Sequence, residues 1–401
     1  MGKRGVAGTF VVLFSIMGCG PKVTPIGPGF VYEPDEREQR LWASSQEQSE
    51  GLQSGGAFYS SPQLEAYLQA VLERVLGNNL QAYVPLTPKV RVVDSPSPNA
   101  FSLCHGDLYL HTGILGRLRN EAQLSMLLGH EIAHSTHRHM YQRTEQIYAS
   151  TGTNSYIAVL SAIGGGNVRS VASQVSQIIT IAAISGYSRD KEEEADQVGL
   201  TLMAQAGYDP REGAKMFEAM ARAADNDARD VSFLYATHPK MESRVKSCKK
   251  LVTRLPPELL ANATEIGEEP YVTAAVDLIL DEVERHIAQG KYELAIETLV
   301  FLKGTRPKDD RALVLLGDLY RARSEPEDVE RCRQAYEEAL QINDACADAQ
   351  KGLGFLYVRE QDNARATKHL QSYLDLTPNA PDVPYVRQYL LRLQGKGSKG
   401  E

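Results

Sequence analysis

Four of the nine histidines in this chain fall within one stretch of thirteen residues, LLGHEIAHSTHRH, at 127–139. His130 and His134 are four positions apart. On a helix they stand one turn apart on a single face, so both imidazoles can reach one ion. The stretch carries a helix signature: Asn120 is a capping residue and Gln123 follows three places on, as in a capping box. The spacing predicts a capped amphipathic helix that must pack against another element, because two histidines do not complete a metal site.

Glu131 is one step round the helix and can approach a water held by the ion. This is the HExxH arrangement of zinc peptidases, with Glu131 as general base. His137 and His139 fit less well as ligands. His137 lies seven residues from His130, about 10.5 Å along the axis, and His139 falls on the opposite side of the helix. Solvated or supporting roles suit both. A carboxylate from another helix would complete two histidines and leave one position for water. SRDKEEEADQVG, at 188–199, offers Glu192, Glu193 and Glu194.

Along the chain, helices are predicted near 35–50 and 62–76, the second opening on Ser61-Pro62. KVRVVDS (89–95) and DLYLHTG (107–113) alternate as strands do. Residues 150–168 contain three consecutive glycines and read as a loop, followed by a helix near 169–186. Two further helices follow, near 189–206 and 210–224. From about 272 the texture becomes periodic. Gly317-x-x-Tyr320 and Gly354-x-x-Tyr357 recur 37 residues apart. These resemble tetratricopeptide units with a three-residue insertion near 324–328. Residues 382–394 read as a capping helix.

HExxH followed by Ser188, Arg189, Glu192, Ala195 and Asp196 resembles the gluzincin zinc metallopeptidases of the HtpX and CAAX prenyl protease type. The match is nearest to BepA-like periplasmic metalloproteases, which also carry tetratricopeptide repeats. NAFSLCHGDLYLHTGIL (99–115) resembles the family's edge strand, with Cys104-His105 where Pro-Gly is common. THPKMESR (237–244) resembles its Thr-His-Pro segment and following arginine. The resemblance covers about 35–250. It implies one Zn2+ per chain held by His130, His134 and Glu192, with Glu131 catalytic. Asp196 is implied either as a proton donor or as a partner to a zinc histidine. His238 reads either as a loop histidine shaped by Pro239 or as a fourth, inhibitory ligand.

The fold class is therefore α+β and mostly helical. A zincin-type metalloprotease domain, with an HExxH helix and a small sheet, precedes an all-α tetratricopeptide repeat domain. The boundaries are a metallopeptidase domain at 34–255, a linker at 256–271, repeats at 272–395 and a disordered tail at 396–401.

The first eighteen residues have a basic start and a short apolar core, the pattern of a secretory signal. Ile16-Met17-Gly18-Cys19 resembles a lipoprotein box, so Cys19 is expected to be lipidated and 19–33 to act as a tether. Met17 is large for its place, which leaves ordinary cleavage or an uncleaved anchor as alternatives. The net charge is −8, and loss of 1–18 would bring it near −10 (51 acidic minus 41 basic). No long basic run stands out, which excludes nucleic acid as a partner. Four other cysteines, Cys104, Cys248, Cys332 and Cys346, are either disulfide-bonded or buried thiols. Together these features imply an envelope endopeptidase in the bacterial periplasm, lipid-anchored at the outer membrane. It would act on unfolded or misassembled envelope proteins and hold a protein partner on its repeats. The rival reading is a chaperone or assembly adaptor with a latent peptidase.

Overall fold

The structure is a computed structural model that describes residues 23–27, 32–54, 56–77, 86–151, 187–226 and 241–397. The first part of the chain runs α1 (Glu36–Ser54), α2 (Pro62–Val75), β1 (Val90–Val93), β2 (Ala100–Ser102), β3 (Leu108–His111), α3 (Thr112–Leu115), α4 (Glu121–Thr136) and α5 (His139–Thr151). After 187 come α6 (Arg189–Gln205), α7 (Arg211–Asn226), α8 (Met241–Val252) and α9 (Pro257–Asn262). The glycine-rich stretch contributes only its first two residues, which end α5. The helix expected near 169–186 lies outside the described residues.

The three strands are ordered β1-β3-β2, with β1 parallel and β2 antiparallel to β3. The outer edge of β1 is covered at Phe58, which bridges to Val93. β2 is the other edge and packs beside α4, where the Ser102 hydroxyl donates to the Glu131 carbonyl at 2.8 Å.

The helix α4 departs from its expected amphipathic form: all sixteen of its residues are buried. Asn120 caps it by accepting from the Gln123 amide at 2.8 Å. The return bond of the capping box is displaced by one residue, with the Gln123 side chain accepting from the Arg119 amide at 3.0 Å. Its closest neighbour is α6. A Cβ on Gly129 would lie 2.9 Å from the Gly199 Cα, and one on Gly199 would lie 2.8 Å from the His130 nitrogen. Only glycine at both positions lets the two backbones touch. Asp196 and Glu192 follow about one and two turns before Gly199, on the same face of α6, so this crossing brings them to α4.

The stretch 256–271, expected as a linker, is built into the fold. Glu265 exchanges backbone bonds with Gly207 and Asp209 and pairs with Arg74. The carbonyls of Gly267 and Ile266 accept from the Glu121 and Ala122 amides, closing the N-terminus of α4. Next come α10 (Glu268–Ala288), α11 (Tyr292–Thr305), α12 (Arg311–Arg323), α13 (Asp328–Ile342), α14 (Ala347–Arg359), α15 (Asn363–Leu376) and α16 (Val383–Gly397). Successive helices of this array pack on one another, and α10 also packs on α2, α3 and α4. Tyr336 fills the space that Gly317 and Gly352 leave, and Leu370 fills that at Gly354. The four cysteines are free, buried thiols. No helix among the described residues is long and apolar enough to cross a membrane.

Candidate metal centre

His130, His134 and Glu192 are all buried, and one donor atom from each falls within 4.8 Å of the others. The two Nε2 atoms are 3.1 Å apart. Glu192 places one carboxylate oxygen 3.7 Å from His130 Nε2 and the other 3.6 Å from His134 Nε2. Tetrahedral zinc with bonds of about 2.0–2.2 Å sets its ligand atoms about 3.4 Å from one another, so the donor set fits Zn2+. The surrounding charge fits as well. Glu131, Glu192 and Asp196 carry three formal negative charges against one positive on Arg244, and a divalent cation closes the difference. Each of the four is at most 6% exposed.

Asp196 sits beside His130. Its Oδ1 accepts from His130 Nδ1 at 2.9 Å, which turns His130 Nε2 toward Glu192. Burial would raise the Asp196 carboxyl, but Arg244 and His130 outweigh it and hold it at about 2. Arg244, on α8, spans both carboxylates, 2.5 Å from Asp196 Oδ1 and 3.3 Å from Glu192 Oε2. Its guanidinium lies over the Phe217 ring at 4.2 Å.

Glu131 is 1% exposed and sits on the same helix as both histidines. Glu193 is exposed, while Glu194 turns toward His139. His137 bonds the Thr136 hydroxyl at 3.2 Å. His139 requires a correction. The helix stops at Thr136, and a turn at Arg138, with φ +56°, folds His139 back so that its Nδ1 lies 2.9 Å from His134 Nδ1. Tyr187 stacks on the His134 ring, with centroids 3.9 Å apart. A cleft of about 270 Å³ opens beside Glu192 and Arg244, with Arg189, Glu193, Ser243 and Ser247 on its walls. His238 and Cys19 lie outside the described residues. Sequence reasoning missed the work of Arg244, Tyr187 and the two glycines. Arg244 did stand in the THPKMESR segment, and Tyr187 directly precedes Ser188.

Residues 62–252 match the model of peptidase family M48. The mitochondrial metalloendopeptidase OMA1 of Schizosaccharomyces pombe is 30% identical over 185 residues, 46% of this chain and 52% of that protein. A putative beta-barrel assembly-enhancing protease of Vibrio cholerae is 27% identical over 213 residues, 52% of this chain and 43% of its own. The beta-barrel assembly-enhancing protease of Escherichia coli K12 is 23% identical over 217 residues, 53% and 44% of the two chains. The chain spans about half the length of these relatives, or less. His130, Glu131, His134, Glu192, Asp196 and Arg244 all lie inside the segment, residues 62–252, that matches peptidase family M48.

Proposed function

We propose that the chain is a zinc-dependent endopeptidase of a bacterial cell envelope, lipid-anchored through Cys19 and facing the periplasm. The observation that carries this reading is the buried set of two histidines and a glutamate, with Glu131 on the same helix and an edge strand alongside. When bound, zinc would polarise a peptide carbonyl and acidify a water. His130, His134 and Glu192 would hold it. Asp196 and Arg244 keep His130 oriented, and the Glu131 carboxylate takes the proton from the attacking water.

Substrate would lie along β2. Asn99 and Leu103 bond across to β3, so the alternation turns the amides and carbonyls of Ala100 and Ser102 to the edge on which no other described strand pairs. An extended peptide can add there as a strand. Two relatives bear the name beta-barrel assembly-enhancing protease, which supports misfolded or stalled outer-membrane proteins as substrates. The array from α10 to α16 would be a tetratricopeptide scaffold holding a protein partner. The Gly317–Tyr336 and Gly354–Leu370 packing supports that reading.

The size of this array also favours a second reading, a chaperone or adaptor with a latent peptidase. Glu131→Gln separates the two. It should retain stoichiometric zinc by metal analysis and lose casein hydrolysis by about 10²–10⁴-fold. Wild-type cleavage by the variant would refute the peptidase mechanism. Full cellular function in a strain carrying only this variant would favour the adaptor. Mass spectrometry of envelope proteins retained by Glu131→Gln would identify the substrates.

A further inference from the structure

We propose that His139 is a positioning residue for the zinc ligand His134, the middle of a hydrogen-bonded chain from His134 through His139 to Glu194. The inference rests on reading His134 as a ligand and assigns the groups that hold it.

The protons can be placed by accounting for donors. Glu194 Oε2 accepts from Lys191 Nζ at 2.9 Å and lies 3.2 Å from His139 Nε2. A carboxylate paired with a lysine only accepts, so His139 Nε2 carries a proton. The neutral imidazole then offers a lone pair at Nδ1. His134 Nδ1 stands 2.9 Å from that lone pair and must donate to it. His134 Nε2 is left as the bare nitrogen, turned toward Glu192 and His130. His130 Nδ1 lies 2.9 Å from Asp196 Oδ1 and 3.0 Å from Arg244 Nη2. His134 is thus set in the metal-binding tautomer by its neighbours.

The position of His139 is itself built. Arg138 adopts φ +56° and is tied to the buried Glu38 of α1 at 2.5 Å, with its guanidinium 4.3 Å from the Tyr32 ring. This turn returns His139 to the site, where it is 1% exposed. A carboxylate in its place would add a fourth negative charge to the pocket. An imidazole instead passes on the pull of Glu194, whose side chain is 36% exposed and keeps part of its hydration.

The test compares zinc affinity, by chelator competition, in wild type, His139→Phe, His139→Asn and Glu194→Gln. Phe keeps the edge-to-face packing on His134 and removes the acceptor. Asn puts an amide oxygen near the Nδ1 position. His139→Phe should weaken zinc by about 10–100-fold, and His139→Asn should restore most of that loss. Glu194→Gln, at a half-buried position that does not threaten folding, should weaken zinc by a smaller factor of about 3–10. Equal affinities in Phe and wild type, equal losses in Phe and Asn, or an unchanged Glu194→Gln would each overturn the proposal. Should His139→Phe fail to fold, Glu194→Gln decides alone. A wild-type protein that binds no zinc would instead refute the metallopeptidase reading beneath it.

Discussion

Arg244 is the residue on which the charge balance of the site turns. It is 6% exposed, and Asp196 and Glu192 both depend on it for a counter-charge. Removing one partner of a buried ion pair leaves the others uncompensated. Arg244→Met should therefore cost about 3–5 kcal/mol in the zinc-free protein, measured by urea denaturation. The loss should be smaller with zinc bound, because the ion supplies positive charge to the same carboxylates. Equal losses with and without zinc would show that Arg244 packs the core without balancing the site. The direction of the Asp196 shift agrees with this account, since Arg244 is the largest influence lowering a carboxyl that burial would raise.

The crossing of α4 and α6 sets the metal geometry among elements. Neither Gly129 nor Gly199 touches the ion site with a side chain, yet a methyl on either meets backbone closer than 3.0 Å. Gly199→Ala should push the helices apart and carry Glu192 with it. The expected result is a loss of about 1–3 kcal/mol and weaker zinc binding, although every ligand is intact. Gly304→Ala, on α11 with nothing within 4 Å, is the control and should leave zinc affinity unchanged. Chelator competition and thermal unfolding of both variants give the answer. Unaltered zinc binding in Gly199→Ala would mean that α6 finds its place without the glycine contact.

Across the whole molecule, the peptidase segment and the helical array share one body of packing. The Tyr271 hydroxyl donates to the Leu115 carbonyl at 2.6 Å, Tyr59 bonds Asp281 at 2.7 Å, and Arg285 pairs with Asp94 at 2.6 Å. The joint body buries His111, at the end of β3, without any exposure, and burial holds its imidazole down at about 4 against an ordinary 6.5. A histidine depressed in the fold is neutral there, while the unfolded chain takes up the proton. Its contribution is whole above 6.5 and is lost as pH falls from there toward 4. At pH 5 the loss is about 2 kcal/mol. His111→Asn keeps a donor for the Ser97 carbonyl, which His111 Nδ1 approaches at 2.9 Å, and removes the titration. Urea denaturation at pH 7.5 and 5.0 should show wild type losing about 2 kcal/mol more than the variant. Equal losses would place the acid sensitivity elsewhere.

What the sequence determined by itself was local. The i, i+4 spacing of His130 and His134, the Asn120 cap and the Ser61-Pro62 start are short-range signals, and each holds its place in the fold. The Gly-x-x-Tyr recurrences were legible for the same reason, because Gly317 and Gly354 each answer a large residue on the next helix. Choosing Glu192 over Glu193 and Glu194 needed a pattern spanning two helices, since three adjacent carboxylates differ only in which way the helix faces. Tertiary structure alone decided the rest. His139 fell on the wrong side of an extrapolated helix because its turn is held by Glu38, a hundred residues away in the chain. Residues 256–271 read as a linker because their polar texture hides that Ile266 and Gly267 close the metal helix through backbone carbonyls. Backbone carbonyls are the same at every residue and leave no mark in a sequence, so only the fold shows where they bond.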